Sequence, residues 1–278
     1  MTKQQKIRPV FFVSDRTGIT AENFGRALLT QFNGIKFEKH SIPFINSIEK
    51  AQQAADVINQ ATKEYGSKSL VFSTLIDNSC RSIITASQAH IIDFFDAFIK
   101  PLESELQIQS SHTTGLSHGI ANEFVYMSRM DAINYSLKND DGLNTKEYKD
   151  ADVILIGVSR SGKTPTCLYL AMQFGLRAAN YPITESDMDK NILPESLQPY
   201  RNKLFGLFIN PERLRTIRNL RKKGSEYASL AQCQKETRMI RSLFDEENIP
   251  FVDSSHISVE EMATSIIQSM GIHRPPIY

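Results

Sequence analysis

Residues 152–175, DVILIGVSRSGKTPTCLYLAMQFG, run an apolar stretch into a glycine, four variable residues, Gly-Lys-Thr and then an amphipathic segment. No other feature restricts the fold of this chain as tightly. Residues 157–164 match G-x-x-x-x-G-K-[ST] without a gap, a pattern that sits between a buried strand and the helix that follows it. The spacing has a physical cause. Main-chain N–H groups must turn inward around an anion while the next helix aims its positive end at the same point. Gly157, Val158, Ser159, Arg160, Ser161 and Gly162, together with Lys163 and Thr164, are therefore candidates to bind the phosphates of a nucleotide, with Gly157 and Gly162 permitting the tight path. Lys163 is placed to reach the terminal phosphates as a catalytic cation, and the Thr164 hydroxyl to ligate magnesium. Pro165 agrees with a helix start, where its missing N–H costs nothing.

The surrounding chain repeats the strand-then-helix alternation that produces a parallel sheet with helical crossovers. In the first half, PVFFVS (9–14), IKFEKHSIPF, SLVFSTL and AHIIDFF read as strands. Thr20 is the expected cap of a helix whose inner face is Phe24, Ala27, Leu28 and Phe32, and a second helix starts at Ser47. Residues 109–116 shift to Ser, His, Thr and Gly, a linker composition, and a helix over 122–139 follows with apolar spacing at Phe124, Met127, Ile133 and Leu137. In the second half ADVILIG, LRAANYPI, KLFGLFIN and IPFVDS read as strands, and the last helix opens with a capping box, Ser258 to Glu261. The expected fold is α/β with two domains. Residues 1–110 form an N-terminal doubly wound domain, 111–150 a linker and connecting helix, and 151–278 a kinase-like domain built on the phosphate loop.

Composition narrows the partners. With 278 residues, 41% hydrophobic, 23% charged and net charge +1, the chain reads as an ordinary globular protein with no overall field directed at nucleic acid or membranes. No run approaches the ~20 apolar residues of a membrane span, and a cytoplasmic location is expected. Cys80, Cys167 and Cys233 lie far apart in predicted helices without metal-ligand spacing.

The class of phosphate-loop chemistry follows from what surrounds the loop. A GTPase would show N-K-x-D, and NKLF at 202–205 lacks the aspartate. A motor-type ATPase would end a strand in acidic residues, whereas LFGLFIN ends in Asn210. The small-kinase class is favoured, in which arginines from a helix or lid neutralise charge. PERLRTIRNLRKKG supplies Arg213, Arg215, Arg218 and Arg221, of which Arg218 is the catalytic candidate; a solvated basic helix explains the same run. Asp187 and Asp189, in a loop after a strand, are candidates for a carboxylate near the phosphates, with an exposed turn as the alternative. Asp15 and Arg16, also just past a strand, either contact a phosphate or partner or cap the next helix. His112 and His118 flank the linker glycine and have no companion ligands.

SDRTGITAE (14–22), DDG (140–142), GVSRSGKTPTCLYLAMQFGLRAANYP (157–182), KLFGL, PERL..IR and YASL together resemble the bacterial phosphoenolpyruvate synthase regulatory proteins, relatives of the pyruvate, phosphate dikinase regulatory protein, over nearly the whole chain. The resemblance implies a bifunctional enzyme. One activity is an ADP-dependent kinase that phosphorylates a threonine of the synthase and inactivates it. The other is a phosphorylase that uses inorganic phosphate to remove the group as pyrophosphate. Two positions depart from the family pattern: Arg16, where a smaller residue is common, and Asn139, where histidine commonly precedes Asp-Asp-Gly. The second removes the basis for an acid–base role at 139. A kinase of a small metabolite, the same activities aimed at the dikinase, and a nucleotide-sensing module without chemistry stand as alternatives. A homodimer is the default expectation for a soluble enzyme.

Overall fold

A computed structural model of the chain describes residues 7–111, 123–188 and 192–273. It divides into two compact units, Met1–Gly119 and Ile120–Tyr278. Each is an α/β unit built on a four-stranded, wholly parallel sheet, as the alternation of strand and helix patterns requires.

In the first unit the order along the chain is β1 (Ile7–Ser14), α1 (Ile19–Leu29), β2 (Lys36–Ile42), α2 (Ile48–Glu64), β3 (Leu70–Thr74), α3 (Asn78–Thr85), β4 (His90–Asp93) and α4 (Phe94–Leu106). The sheet order is β2-β1-β3-β4. β1 is central and buried on both faces: Phe11 and Val13 pack with α2 and α3 residues, Val10 and Phe12 with α1 residues and Phe94. Burying each such side chain contributes roughly 1.5–3 kcal/mol.

Helix α1 corrects the expected inner face. Its cap is Gly18, in the left-handed region at φ 76°, and Thr20 lies inside the helix. The buried residues are Ala21, Gly25 and Leu29, while Phe24, Leu28 and Phe32 are 41%, 38% and 59% exposed. Close approach explains the rotation. A Cβ on Gly25 would stand 2.6 Å from the Phe12 ring and 2.9 Å from that of Phe72, so the helix lies against the sheet on its small residues and turns its aromatics outward. Ser47 caps α2 as expected, accepting from the Lys50 N–H.

The second unit opens with α5 (Glu123–Lys138), which packs on α6 and β6. Its buried positions include Ala132 and Ser136; of the expected apolar stripe Met127 and Leu137 are 51% and 57% exposed, Ile133 is half-buried, and the Phe124 side chain lies outside the described residues. Two short 3-10 turns, 140–142 and 145–150, lead into β5 (Val153–Gly157). There follow α6 (Lys163–Phe174), β6 (Ala178–Pro182), α7 (Glu185–Met188), β7 (Leu204–Phe208), α8 (Pro211–Arg221), α9 (Leu230–Glu246), β8 (Phe251–Asp253) and α10 (Val259–Ser269). The sheet order is β6-β5-β7-β8. β5 is buried throughout, and side chains alternate between a layer with α8 and α9 and a layer with α6 and α10. The capping box forms as expected: Ser258 Oγ accepts from the Glu261 N–H, and Glu261 accepts from the Ser258 N–H. No helix among the described residues is long and apolar enough to cross a membrane.

Candidate functional site

In the second sheet β6 and β7 lie on either side of β5, so the loop leaving the carboxyl end of β5 opens at the point where the chain switches direction across the sheet. Crevices form there in parallel α/β folds. The loop is residues 157–164, and its sequence is dictated by crowding. A Cβ on Gly157 would meet the Leu207 carbonyl oxygen at 2.5 Å and Ser161 Oγ at 2.9 Å. Gly162, at φ 99°, caps α6 without a side-chain hydrogen bond, leaving the first N–H groups of the helix directed into the loop. Arg160 is also left-handed, at φ 77°, a conformation that costs a non-glycine residue roughly 1–2 kcal/mol.

Lys163 is 5% exposed. Its Nζ donates to the carbonyls of Gly157 and Val158 at 3.1 and 2.9 Å, so the loop folds around its own ammonium. Burial pushes the Lys163 pKa down to about 8, opposed by the carboxylates of Asp141 and Asp140. Ser161 Oγ is buried with no partner. An uncapped helix start, a desolvated cation and an orphaned hydroxyl meet at this loop, groups that can hold a phosphate.

Thr164 Oγ1 donates to Asp140 Oδ1 at 2.8 Å. The loop pattern alone does not point to this partner, because Asp140 lies upstream of β5 in the first 3-10 turn and not at the end of a strand. The same carboxylate oxygen accepts from Asn180 Nδ2 of β6, and Asn180 Oδ1 accepts from the Asp141 N–H at 3.1 Å. Asp141 is left-handed at φ 50° and Gly142 at φ 74°. A Cβ on Gly142 would stand 3.0 Å from the Tyr181 ring, which accounts for the glycine of Asp-Asp-Gly. Asn139 is fully buried, with Nδ2 donating to the Tyr135 carbonyl at 2.9 Å. Asp141 itself is exposed, and its charge favours the protonated form of Lys163. Thr164 and Asp140 present oxygen donors only, the set that suits Mg2+ held by one or two carboxylates together with phosphates and waters.

Arg218 does not reach the cradle from a mobile lid. It is 0% exposed, with Nη1 and Nη2 bonded to Glu236 at 2.9 and 2.6 Å and its guanidinium 3.9 Å over the Tyr227 ring. Nη2 also donates to the Ser159 carbonyl at 3.2 Å, and the Tyr227 hydroxyl to Ser159 Oγ at 2.9 Å. Arg218 thus touches the loop by bracing its outer turn. Burial opposes its charge, but the Glu236 carboxylate outweighs that and raises its pKa. Arg213, Arg215 and Arg221 are exposed, as a solvated helix face would have them. A cavity of about 430 Å³ lies beside this brace, lined by Ser159, Ile183, Thr184, Tyr227 and Gln232.

Asp187 lies after β6, where Oδ2 accepts from the Thr184 N–H at 2.9 Å and the Thr184 hydroxyl at 2.7 Å, closing the turn at α7. Asp189, His112 and His118 lie outside the described residues. In the first unit, Asp15 and Arg16 line a separate crevice of about 580 Å³ with Asn46, Ser47, Asp77 and Cys80. The three cysteines are free and buried in helices, as expected, and burial raises the pKa of each.

A parallel α/β unit whose strand-end loop sets a lysine and a threonine beside a carboxylate turn has the parts that families of phosphoryl-transfer enzymes use. The model of one such family, described as Kinase/pyrophosphorylase, matches residues 10–267, and the chain belongs to that family. Among its relatives, a protein of Stutzerimonas stutzeri (strain A1501) named "Putative phosphoenolpyruvate synthase regulatory protein" is 50% identical over 267 residues, 96% of this chain and 98% of its own length. Proteins of the same name from Hahella chejuensis (strain KCTC 2396) and Pseudomonas aeruginosa (strain UCBPP-PA14) are 49% and 48% identical, over 96% and 97% of this chain and 98% of their own.

Proposed function

We propose that this chain is a bifunctional regulator of phosphoenolpyruvate synthase, transferring phosphate from ADP to a threonine of the synthase and removing it with inorganic phosphate as pyrophosphate. The family and the relatives' names support the class of reaction and the target. The observation that carries the chemistry is the meeting of Lys163, Thr164 and the Asp140–Asp141 turn at one loop.

In the kinase direction the threonine oxygen attacks the β-phosphorus of ADP. The bond from that phosphorus to the oxygen bridging the α-phosphate breaks, and AMP leaves with the bond's electron pair. Asp141, exposed and free of the Thr164 contact, takes the hydroxyl proton. Lys163 exchanges its bonds to the loop carbonyls for phosphate oxygens, so its charge is available without a large rearrangement of solvent. Thr164 and Asp140 would hold Mg2+, which would neutralise charge on the diphosphate when bound. Arg218 keeps the Ser159 carbonyl turned away from the anion.

In the opposite direction an oxygen of inorganic phosphate, held in the same amide ring, attacks the phosphothreonine phosphorus. The bond to the threonine oxygen breaks, pyrophosphate forms, and the threonine oxygen recovers a proton. Asp187, tied to Thr184, is assigned no proton transfer in this scheme. The test is incubation with ADP labelled in the β-phosphate and with phosphoenolpyruvate synthase. The expected result is label on a synthase threonine with AMP formed in equal amount. Label on a small molecule, or ADP bound and unconverted, would replace this reading with a metabolite kinase or a sensing module.

A further inference from the structure

Asn180 sits in β6 with 0% exposure, an unusual place for a primary amide. It survives there because each of its polar atoms has a partner. Nδ2 donates to Asp140 Oδ1, Oδ1 accepts from the Asp141 N–H at 3.1 Å, and the main-chain carbonyl accepts from the Tyr148 hydroxyl at 2.9 Å. Its own N–H reaches the Asn139 carbonyl at 3.3 Å. One side chain therefore grips two successive residues of the carboxylate turn, one through a side chain and the other through the backbone.

We propose that Asn180 is a positioning residue, clipping the Asp140–Asp141 turn to the Gly157–Thr164 loop so that the Asp141 carboxylate faces the transferring phosphoryl group. Three observations argue for it. The turn is short and holds Asp141 at φ 50°, a strained conformation that persists only when its surroundings impose it. Asp140 Oδ1 is shared by Thr164 and Asn180, so a single oxygen joins the turn, α6 and β6. An amide of this length also suits the task chemically: it donates to a carboxylate and accepts from an N–H at once, whereas an ionised aspartate only accepts. The inference rests on the phosphoryl-transfer reading above, with Asp141 as proton acceptor.

The test compares Asn180→Asp, Asn180→Ser and the exchange of the two groups, Asn180→Asp with Asp140→Asn, in the full chain. Asn180→Asp removes the donor and sets two carboxylates against each other, while the exchange restores a donor and an acceptor at the same pair. Calorimetry with ADP, transfer kinetics with the synthase, and amide hydrogen exchange at Asp141 are read on each. Both single variants should lower kcat about 100-fold, the scale of a small misplacement of reacting groups, while ADP affinity stays within about threefold because residues 157–164 are unaltered. Exchange at the Asp141 amide should accelerate in Asn180→Ser and return to the wild-type rate in the exchanged pair. Equal losses in kcat and ADP affinity, or an Asp141 amide indifferent to Asn180→Ser, would overturn the proposal. A wild-type chain that transfers nothing from ADP to the synthase would overturn the functional reading instead, and the exchange data would still decide whether the clip exists.

Discussion

The two units have sheets of the same order, β2-β1-β3-β4 and β6-β5-β7-β8. In each, the first strand of the sheet runs into a loop that ends at a left-handed glycine capping a helix, Gly18 at φ 76° and Gly162 at φ 99°. The loops are chemically unlike. In the first, Ser14 Oγ accepts from the Arg16 N–H at 3.2 Å, Asp15 Oδ2 is buried without a partner, and Arg16 is exposed. In the second, a buried lysine fills the loop, a threonine hydroxyl is bonded to a carboxylate, and Arg218 braces the far side. Topology places a crevice at both switch points, but the second sets a buried ammonium and a carboxylate-bonded hydroxyl side by side, a pairing the described residues of the first loop lack. The comparison locates the chemistry in particular side chains and not in the fold they share.

That contrast can be broken most forcefully at Lys163. Lys163→Ala should cost about 10³-fold in both the ADP-dependent and phosphate-dependent rates, comparable to losing a major electrostatic stabiliser of a transition state; intact pyrophosphate formation in that variant would separate the two sites. The brace comes next. Glu236→Gln leaves the wholly buried Arg218 without its carboxylate, and thermal unfolding should show a loss of about 3–5 kcal/mol, concentrated in the second unit.

A pH series sharpens the electrostatic half of the comparison. Lys163 has a pKa of about 8 in the free protein, and a bound diphosphate favours its charged form. Below that value binding finds the lysine already protonated. Above it, binding must take up a proton, so ADP affinity should fall by up to about tenfold per pH unit, with proton uptake visible as a buffer-dependent heat. A flat profile between pH 7 and 9 would contradict the contact. In the first unit, Gly25→Ala should destabilise by about 1–3 kcal/mol through overpacking against Phe12 and Phe72 while leaving ADP affinity unchanged. Smallest of all, Arg16→Ala should move ADP affinity at the second unit less than about twofold, measured by calorimetry.

Much of this was legible in the amino-acid order. The strands, the loop and its glycines, the cap at Ser47 and the capping box at Ser258 follow from local rules that act within a few residues. What escaped depends on distance in the chain. Asp140 meets Thr164 from 24 residues upstream, and no spacing rule links a 3-10 turn before a strand to the helix after it, although Asp-Asp-Gly itself stood out. Arg218 read as a catalytic arginine or as part of a solvated basic face, because its compensating carboxylate lies 18 residues on, in α9. The face of α1, and in part that of α5, was misjudged for one reason: bulk hydrophobicity marks the greasiest stripe, whereas close packing selects the smallest one, here Gly25 and Ala132.

The proton acceptor is the most exposed link in the account. Asp141→Asn and Asp187→Asn, each assayed in both directions on the same preparation with ADP affinity as control, test it most directly. The account predicts that Asp141→Asn lowers both rates by a common factor of about 10²–10⁴ with ADP still bound, and that Asp187→Asn stays within about threefold of wild type. An Asp141→Asn protein that retains either rate, or an Asp187→Asn protein that loses both, would contradict it.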